Sequence, residues 1–480
     1  MLDQMSPLDA TLLEMEDEDR HASMAIASVA VLEGPPPGQD DFVAAISGRL
    51  PRVRRLRQKL RTVPLDLGRP VWVDDPAFDV RYHIRRTALP APGDDEALCR
   101  LVARVMSQRL DRDRPLWECW VVEGLADGRW AVITKVHHCM VDGVSGTSLV
   151  SALCDTQPES PAVAPDSTEG WAPAPPPSTL RLTADAVRDL AFSPVDQLRL
   201  ASRALHSPLT AVRLVAETAR GLVALAQSLA PATASSLSGP IGQHRRYAVG
   251  RAGLGDVLSV RNTFGVSVND VVIAAISGGF RRLLLDRGER PDAHTIRSLI
   301  PVSIRKPGEE GIYENQFSLM LALLPVDIAD PVDRLTAVHA HLSALKASNE
   351  AQAGATMTSL AKHEPFPPIS WGIRLVFRMP QRSVTTITTN VPGPRQPLYV
   401  LGRRILELLP YVPIAARLRT GVSILSYCDR VAIGVTADYN SAPEADALAR
   451  AIEDEIAELV KAAEGVSAPR PRRRRAGHRP

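Results

Sequence analysis

With 480 residues the chain exceeds one hydrophobic core of about 100–200 residues and suffices for two domains. At 45% hydrophobic and 23% charged residues it has the composition of a soluble globular protein, and a net charge of +2 gives no electrostatic reason to expect a nucleic-acid partner. Its five scattered cysteines, Cys99, Cys119, Cys139, Cys154 and Cys428, contain no Cys-x-x-Cys pair, which argues against a zinc knuckle or a disulfide framework and for a reducing cytoplasm.

The opening MLDQMSPLDATLLEMEDEDR is acidic where a secretory signal is basic and then apolar. No run reaches the ~18–20 apolar residues of a membrane span, so a soluble protein is expected, at most resting on a membrane. MAIASVAVL (24–32) reads as a buried strand, and the helical spacing from Asp40 is expected to end near Leu50, before Pro51 and the arginines. VWVDDPAFDVRYHIRR (71–86) has strand-like alternation, and DDEALCRLVARVMSQRL (94–110) is an amphipathic helix. WECWVVEGL (117–125) and RWAVITKVHH (129–138) read as strands of a hairpin turning at Ala126–Gly128.

Residues 156–178 are rich in Pro, Ser and Ala, too poor in large apolar residues to fold alone, and read as a linker. A mostly helical region follows to about residue 231, broken by Pro194 and Pro208; its segment AVRLVAETARGLVALAQSLA has one apolar face, suited to packing on the domains or to a membrane interface. From Gly239 a second mixed unit begins. Residues 267–288 read as a helix capped by Ser267 or Asn269, and 295–304, 315–326, 383–393, 421–428 and 430–438 read as strands. Residues 443–463 form an amphipathic last helix, and the arginine-rich end is expected to be a solvated tail or an anionic-lipid contact. The expected organisation is therefore 1–155, a connector 156–238, 239–465, and a tail 466–480.

The densest chemistry lies in KVHHCMVDGVSG (135–146). On a strand, Val132, Thr134, Val136 and His138 share one face while Ile133, Lys135 and His137 share the other, so only one histidine looks into a given cavity. In the turn that follows, Gly143 lets a backbone approach closely and Asp142 can fold back towards the strand end. A neutral imidazole held at a strand end suits a general base. Three alternatives stand beside it: a metal held by His137, His138 and Asp142, a Cys139 nucleophile activated by a neighbouring histidine, and a purely structural histidine pair.

The pattern His137-His138-x-x-x-Asp142-Gly143 resembles the active-site motif of the bacterial wax ester synthase/acyl-CoA:diacylglycerol acyltransferase family. SPLDATLLEMEDEDRHASM (6–24), RPLWECWVVEGL (114–125), SVNDVVIAAISGGFRRLL (267–284), IPVSIR (300–305) and TNVPGP (389–394) resemble further blocks of that family, in order, although HASM lacks a second histidine found in many relatives. The resemblance implies an α+β fold of two chloramphenicol-acetyltransferase-like domains, each a mixed sheet with flanking helices, meeting at a tunnel. It implies that His138 deprotonates the hydroxyl of diacylglycerol or a long-chain alcohol, which attacks an acyl-CoA thioester. Asp142 would organise the turn, often towards an arginine, and His137 would be secondary. Asn269 is a candidate donor to the oxyanion or merely a helix cap; Trp117 and Asn390 either line the tunnel or shape the fold beside it. Acyl-CoA enters as co-substrate, with no metal and no resident cofactor, and peripheral association with membranes or lipid droplets fits such substrates. A silent lipid-binding protein and a condensation-type enzyme using another acyl donor are the competing readings.

Overall fold

A computed structural model of the chain describes residues 3–140, 154–159, 171–188, 235–303, 317–347, 384–415 and 417–467. The first helix, α1 (Pro7–Glu18), begins where Ser6 accepts from the Asp9 N–H and Pro7 occupies a position that needs no donor. β1 (Ala25–Leu32) is the expected buried strand, and α2 (Gln39–Arg49) stops at Leu50 as anticipated. β2 (Gln58–Arg61) and β3 (Val71–Asp74) form a small antiparallel ribbon. The alternating stretch 71–86 is not one strand: after β3 the chain turns through Pro76, which has no N–H to donate, and Asp79 caps the single turn α3 (Val80–His83). β4 (Ile84–Ala88) then resumes. α4 (Asp95–Met106), capped by Asp94, precedes the hairpin of β5 (Trp117–Glu123) and β6 (Trp130–His137), whose turn places Asp127 at φ 61°.

The second half contributes β7 (Arg245–Gly253), α5 (Leu254–Phe264), α6 (Val268–Asp286), β8 (Arg297–Ser303), β9 (Phe317–Leu323), α7 (Pro331–Ala347) and β10 (Thr386–Val391). It continues with β11 (Tyr399–Val400), β12 (Arg403–Tyr411), β13 (Thr420–Tyr427), β14 (Arg430–Asp438) and α8 (Ala445–Ser467). The strands make two six-stranded mixed sheets, β11-β12-β1-β6-β5-β4 and β7-β14-β13-β10-β8-β9. The first borrows β11 and β12 from the far end of the chain, β12 lying antiparallel to β1 with Val29 opposite Leu409. The division at residue 239 is therefore one of sequence, and the two halves share a sheet.

Burial of apolar surface builds a core on each sheet. Trp130 is fully buried in the first, its indole donating to the Glu33 carbonyl at 2.8 Å and its ring edge-on to Phe42. In the second, α6 and α8 pack so closely that a Cβ on Gly279 would lie 2.6 Å from Ile452. β12 joins the cores, since the Pro410 carbonyl accepts from the Tyr247 and Ser423 hydroxyls of the second sheet. Arg251 adds a crossing, 2.7 Å from Glu407 and 2.8 Å from Asp95. Of the connector, Trp171 stands edge-on to Phe78 and the Ala174 N–H donates to Asp74; residues 160–170 and 189–234, and the tail from 468, lie outside the described residues. Among the described residues no single helix is long and apolar enough to cross a membrane.

Candidate active site

The end of β6 is held group by group. The His137 N–H donates to the Leu116 carbonyl and the His138 N–H to the Met24 carbonyl, each at 2.9 Å; the Met140 N–H turns back to His137 at 2.9 Å. The Cys139 N–H donates to Nδ1 of His137 at 3.2 Å. That nitrogen is therefore an acceptor, the ring proton sits on Nε2, and Nε2–H donates to the Glu16 carboxylate at 2.6 Å. Both partners are 2% exposed. Burial works to raise the Glu16 pKa, but the hydrogen bond from His137, the Arg112 charge and the Met24 N–H outweigh it and hold the carboxyl below its ordinary range. The next residue, His138, lies just past the end of β6 and is half-buried.

Lys135, two residues back on the His137 face, is fully buried and donates to the Val105 and Gln108 carbonyls at 2.9 and 2.6 Å, tying the end of α4 to the strand. Its pKa is pushed down to about 8 by burial. On the hairpin partner, Trp117 is 3% exposed and donates to the Leu56 carbonyl; its ring stacks on His83 with centroids 4.5 Å apart. His83 Nδ1 bonds the Trp117 carbonyl at 2.8 Å, and burial lowers the pKa of this imidazole. Trp117 is thus packed into the wall behind the strand end.

The second half presents the start of α6. Ser267 is its cap, exchanging hydrogen bonds with Asp270, so the cap role open to Asn269 belongs to Ser267. Asn269, in the first turn, accepts from the Asn390 amide at 3.3 Å, which links the Asn-Asp stretch to the end of β10 and turns the Asn269 NH₂ away from Asn390. Asp270 also accepts from His339 of α7 at 2.8 Å. Burial works to raise its pKa; the His339 and Ser267 bonds prevail and lower it. After β10, a Cβ on Gly393 would meet the Ser426 carbonyl at 2.0 Å, which explains the glycine in TNVPGP.

The structure thus brings together His137 with Glu16, and Asn269 with Asn390. Asp142 and Gly143 lie outside the described residues. The Cys139 alternative fails physically: the thiol is 2% exposed, and burial raises its pKa well above the ordinary value, so no thiolate forms near neutral pH. Both ring nitrogens of His137 are committed to protein partners, so it is not open to a metal. Sequence reasoning missed Glu16, Lys135 and His83. Glu16 sits 121 residues from its partner, and an acidic residue at the end of an acidic helix gives no local sign of burial.

The catalytic-domain profile of the wax ester synthase/diacylglycerol acyltransferase family matches residues 5–272, and its C-terminal-domain profile matches residues 313–460. The chain is 43% identical over 461 residues to a Mycobacterium tuberculosis protein named "Probable diacylglycerol O-acyltransferase tgs1", covering 96% of each. In three dimensions it is similar to the wax ester synthase/diacylglycerol acyltransferase from Marinobacter aquaeolei, with TM-score 0.64 and 24% identity over 96% of this chain and all of that one. It is also similar to a mutant starter condensation domain of rhizomide synthetase RzmA, with TM-score 0.56 and 17% identity over 96% and 95% of the two chains. The fold is the chloramphenicol-acetyltransferase-like one of acyl-transferring enzymes. The chain belongs to the wax ester synthase/diacylglycerol acyltransferase family, and it is an O-acyltransferase.

Proposed function

We propose that the protein transfers a long-chain acyl group from acyl-CoA to the hydroxyl of diacylglycerol, a long-chain alcohol, or both, with His138 as the general base. The observation that carries this reading is the division of labour at the strand end. His137 is committed through both nitrogens to Glu16 and Cys139, so the role of base is assigned to His138, the other imidazole of the motif. An aliphatic hydroxyl is too weak an acid to be a nucleophile at neutral pH. His138 takes its proton as the oxygen bonds to the thioester carbonyl; the tetrahedral intermediate collapses, the C–S bond breaks, and the sulfur of CoA recovers the proton from the imidazolium. The intermediate's oxyanion needs a donor where charge develops, and the NH₂ of Asn269, oriented by Asn390, is assigned that role. By their place in the motif, Asp142 is assigned an organising role beside the base and Gly143 a role in admitting substrate, and Trp117 supports the wall. Apolar acyl chains favour a dry site, which also protects the thioester from hydrolysis. Substrates of this kind also favour docking on a lipid surface.

The test is to incubate the purified protein with palmitoyl-CoA and either dioleoylglycerol or hexadecanol, and to follow CoA release and lipid product. Ester formation with one or both acceptors is expected, and the product names the acceptor. Binding of both lipids with no CoA release would leave a silent lipid-binding protein. Turnover only with a carrier-bound acyl group would point to condensation-type chemistry.

A further inference from the structure

We infer that Glu16 is a positioning residue for the reaction, acting through His137 on the backbone that sets the ring of His138; the inference rests on the assignment of His138 as base. Its carboxylate receives the His137 Nε2–H at 2.6 Å and the Met24 N–H at 3.2 Å. The first bond fixes the tautomer of His137, whose bare Nδ1 holds the Cys139 N–H immediately after His138. The second fixes Met24, whose carbonyl holds the His138 N–H itself. One buried carboxylate thus controls the peptide groups on both sides of the reactive imidazole, from a helix that shares no sequence neighbourhood with it.

Glu16 is in turn held from behind. Nε of Arg109 lies 3.6 Å from its Oε1 and donates to the Ala22 carbonyl at 2.9 Å, while the same guanidinium bonds the Glu16 and Asp19 carbonyls. The connection between α1 and β1 is thereby folded over the strand end. Buried polar groups joined in such a chain have one arrangement that satisfies every member, so the chain is stiff, and stiffness is what a base needs. A displacement of about 1 Å at a reacting centre is enough to cost ~10²-fold in rate.

The experiment compares Glu16→Ala and Glu16→Gln with wild type, each also combined with His138→Ala, in the palmitoyl-CoA assay with rates taken per folded molecule. Glutamine keeps an acceptor for Nε2–H and alanine does not. The expected result is a kcat about 100-fold lower in Glu16→Ala with KM for acyl-CoA within about twofold, and recovery to within about tenfold of wild type in Glu16→Gln. On the His138→Ala background, Glu16→Ala is expected to change the rate by less than about twofold, because the group it positions is gone. The ¹⁵N spectrum of the His137 ring should show the Nε2–H tautomer in wild type and Glu16→Gln and a tautomer mixture in Glu16→Ala. Unchanged kcat in Glu16→Ala overturns the inference, as does an additive loss in the double variant, or equal losses in the alanine and glutamine variants. Full turnover by His138→Ala alone would instead remove the base assignment on which the inference rests.

Discussion

Each half of the molecule carries a carboxylate–imidazole hydrogen bond, and the two are built differently. Glu16 and His137 meet at 2.6 Å with both side chains 2% exposed, while Asp270 and His339 meet at 2.8 Å with His339 45% exposed. The first locks the end of a strand by side-chain bonds to neighbouring backbone; the second reinforces a helix start that Ser267 already caps. In the dry setting the pair is electrostatically strong, and its loss leaves a buried polar group; in the wet setting water replaces the missing partner. The contrast is between a dry, rigid support beside the proposed base and a wetter support beside the proposed oxyanion donor.

The largest effect should come from opening the buried pair. His137→Ala leaves the Glu16 carboxylate without its main partner and is expected to lose about 3–5 kcal/mol of unfolding free energy in guanidinium titrations. A loss below 1 kcal/mol would mean that water enters the site and the contrast is false. Asn269→Ala should lower kcat by about 10²–10³-fold with little change in stability, and Asn390→Ala less, since it acts through Asn269. Ser267→Ala should lower stability by about 0.5–2 kcal/mol through loss of the cap. His339→Ala is expected to cost no more than about 1 kcal/mol, as the half-exposed partner of a carboxylate that retains its Ser267 bond.

Acid sharpens the same comparison. Glu16 and Asp270 both have carboxyl pKa values lowered from 4.5 and 3.8 respectively. Each therefore adds stability that is full above the unfolded value and is lost as pH falls through the lower folded value, because the unfolded chain binds the proton first. The denaturation midpoint should fall as pH drops below the unfolded carboxyl values of 4.5 and 3.8, and Glu16→Gln should flatten that slope more than His339→Ala does.

Much of this architecture was legible from periodicity. β1, α4, the β5–β6 hairpin, α6 and α8 follow directly from their apolar spacing and caps, and alternation along 130–137 placed His137 on the same buried face as Lys135. β12 was not legible. Ile405, Leu408, Leu409 and Tyr411 are all buried and Pro410 lies within it, so neither a period of two nor an ordinary central strand shows in the letters. The cause is its place in the first sheet with Pro410 bonded by side chains of the second, a long-range fact. Glu16 was hidden for the same reason, since only the folded chain brings the last turn of α1 against β6. The segment 71–86 misled because its alternation is real but is interrupted by Pro76 and the Asp79 cap.

The measurement that bears most directly on the central claim is the rate of CoA release by His138→Ala, on folded protein with palmitoyl-CoA and the preferred acceptor. At least a 100-fold fall relative to wild type is expected for loss of a general base. Release at the wild-type rate would contradict the account and assign the proton transfer to another group.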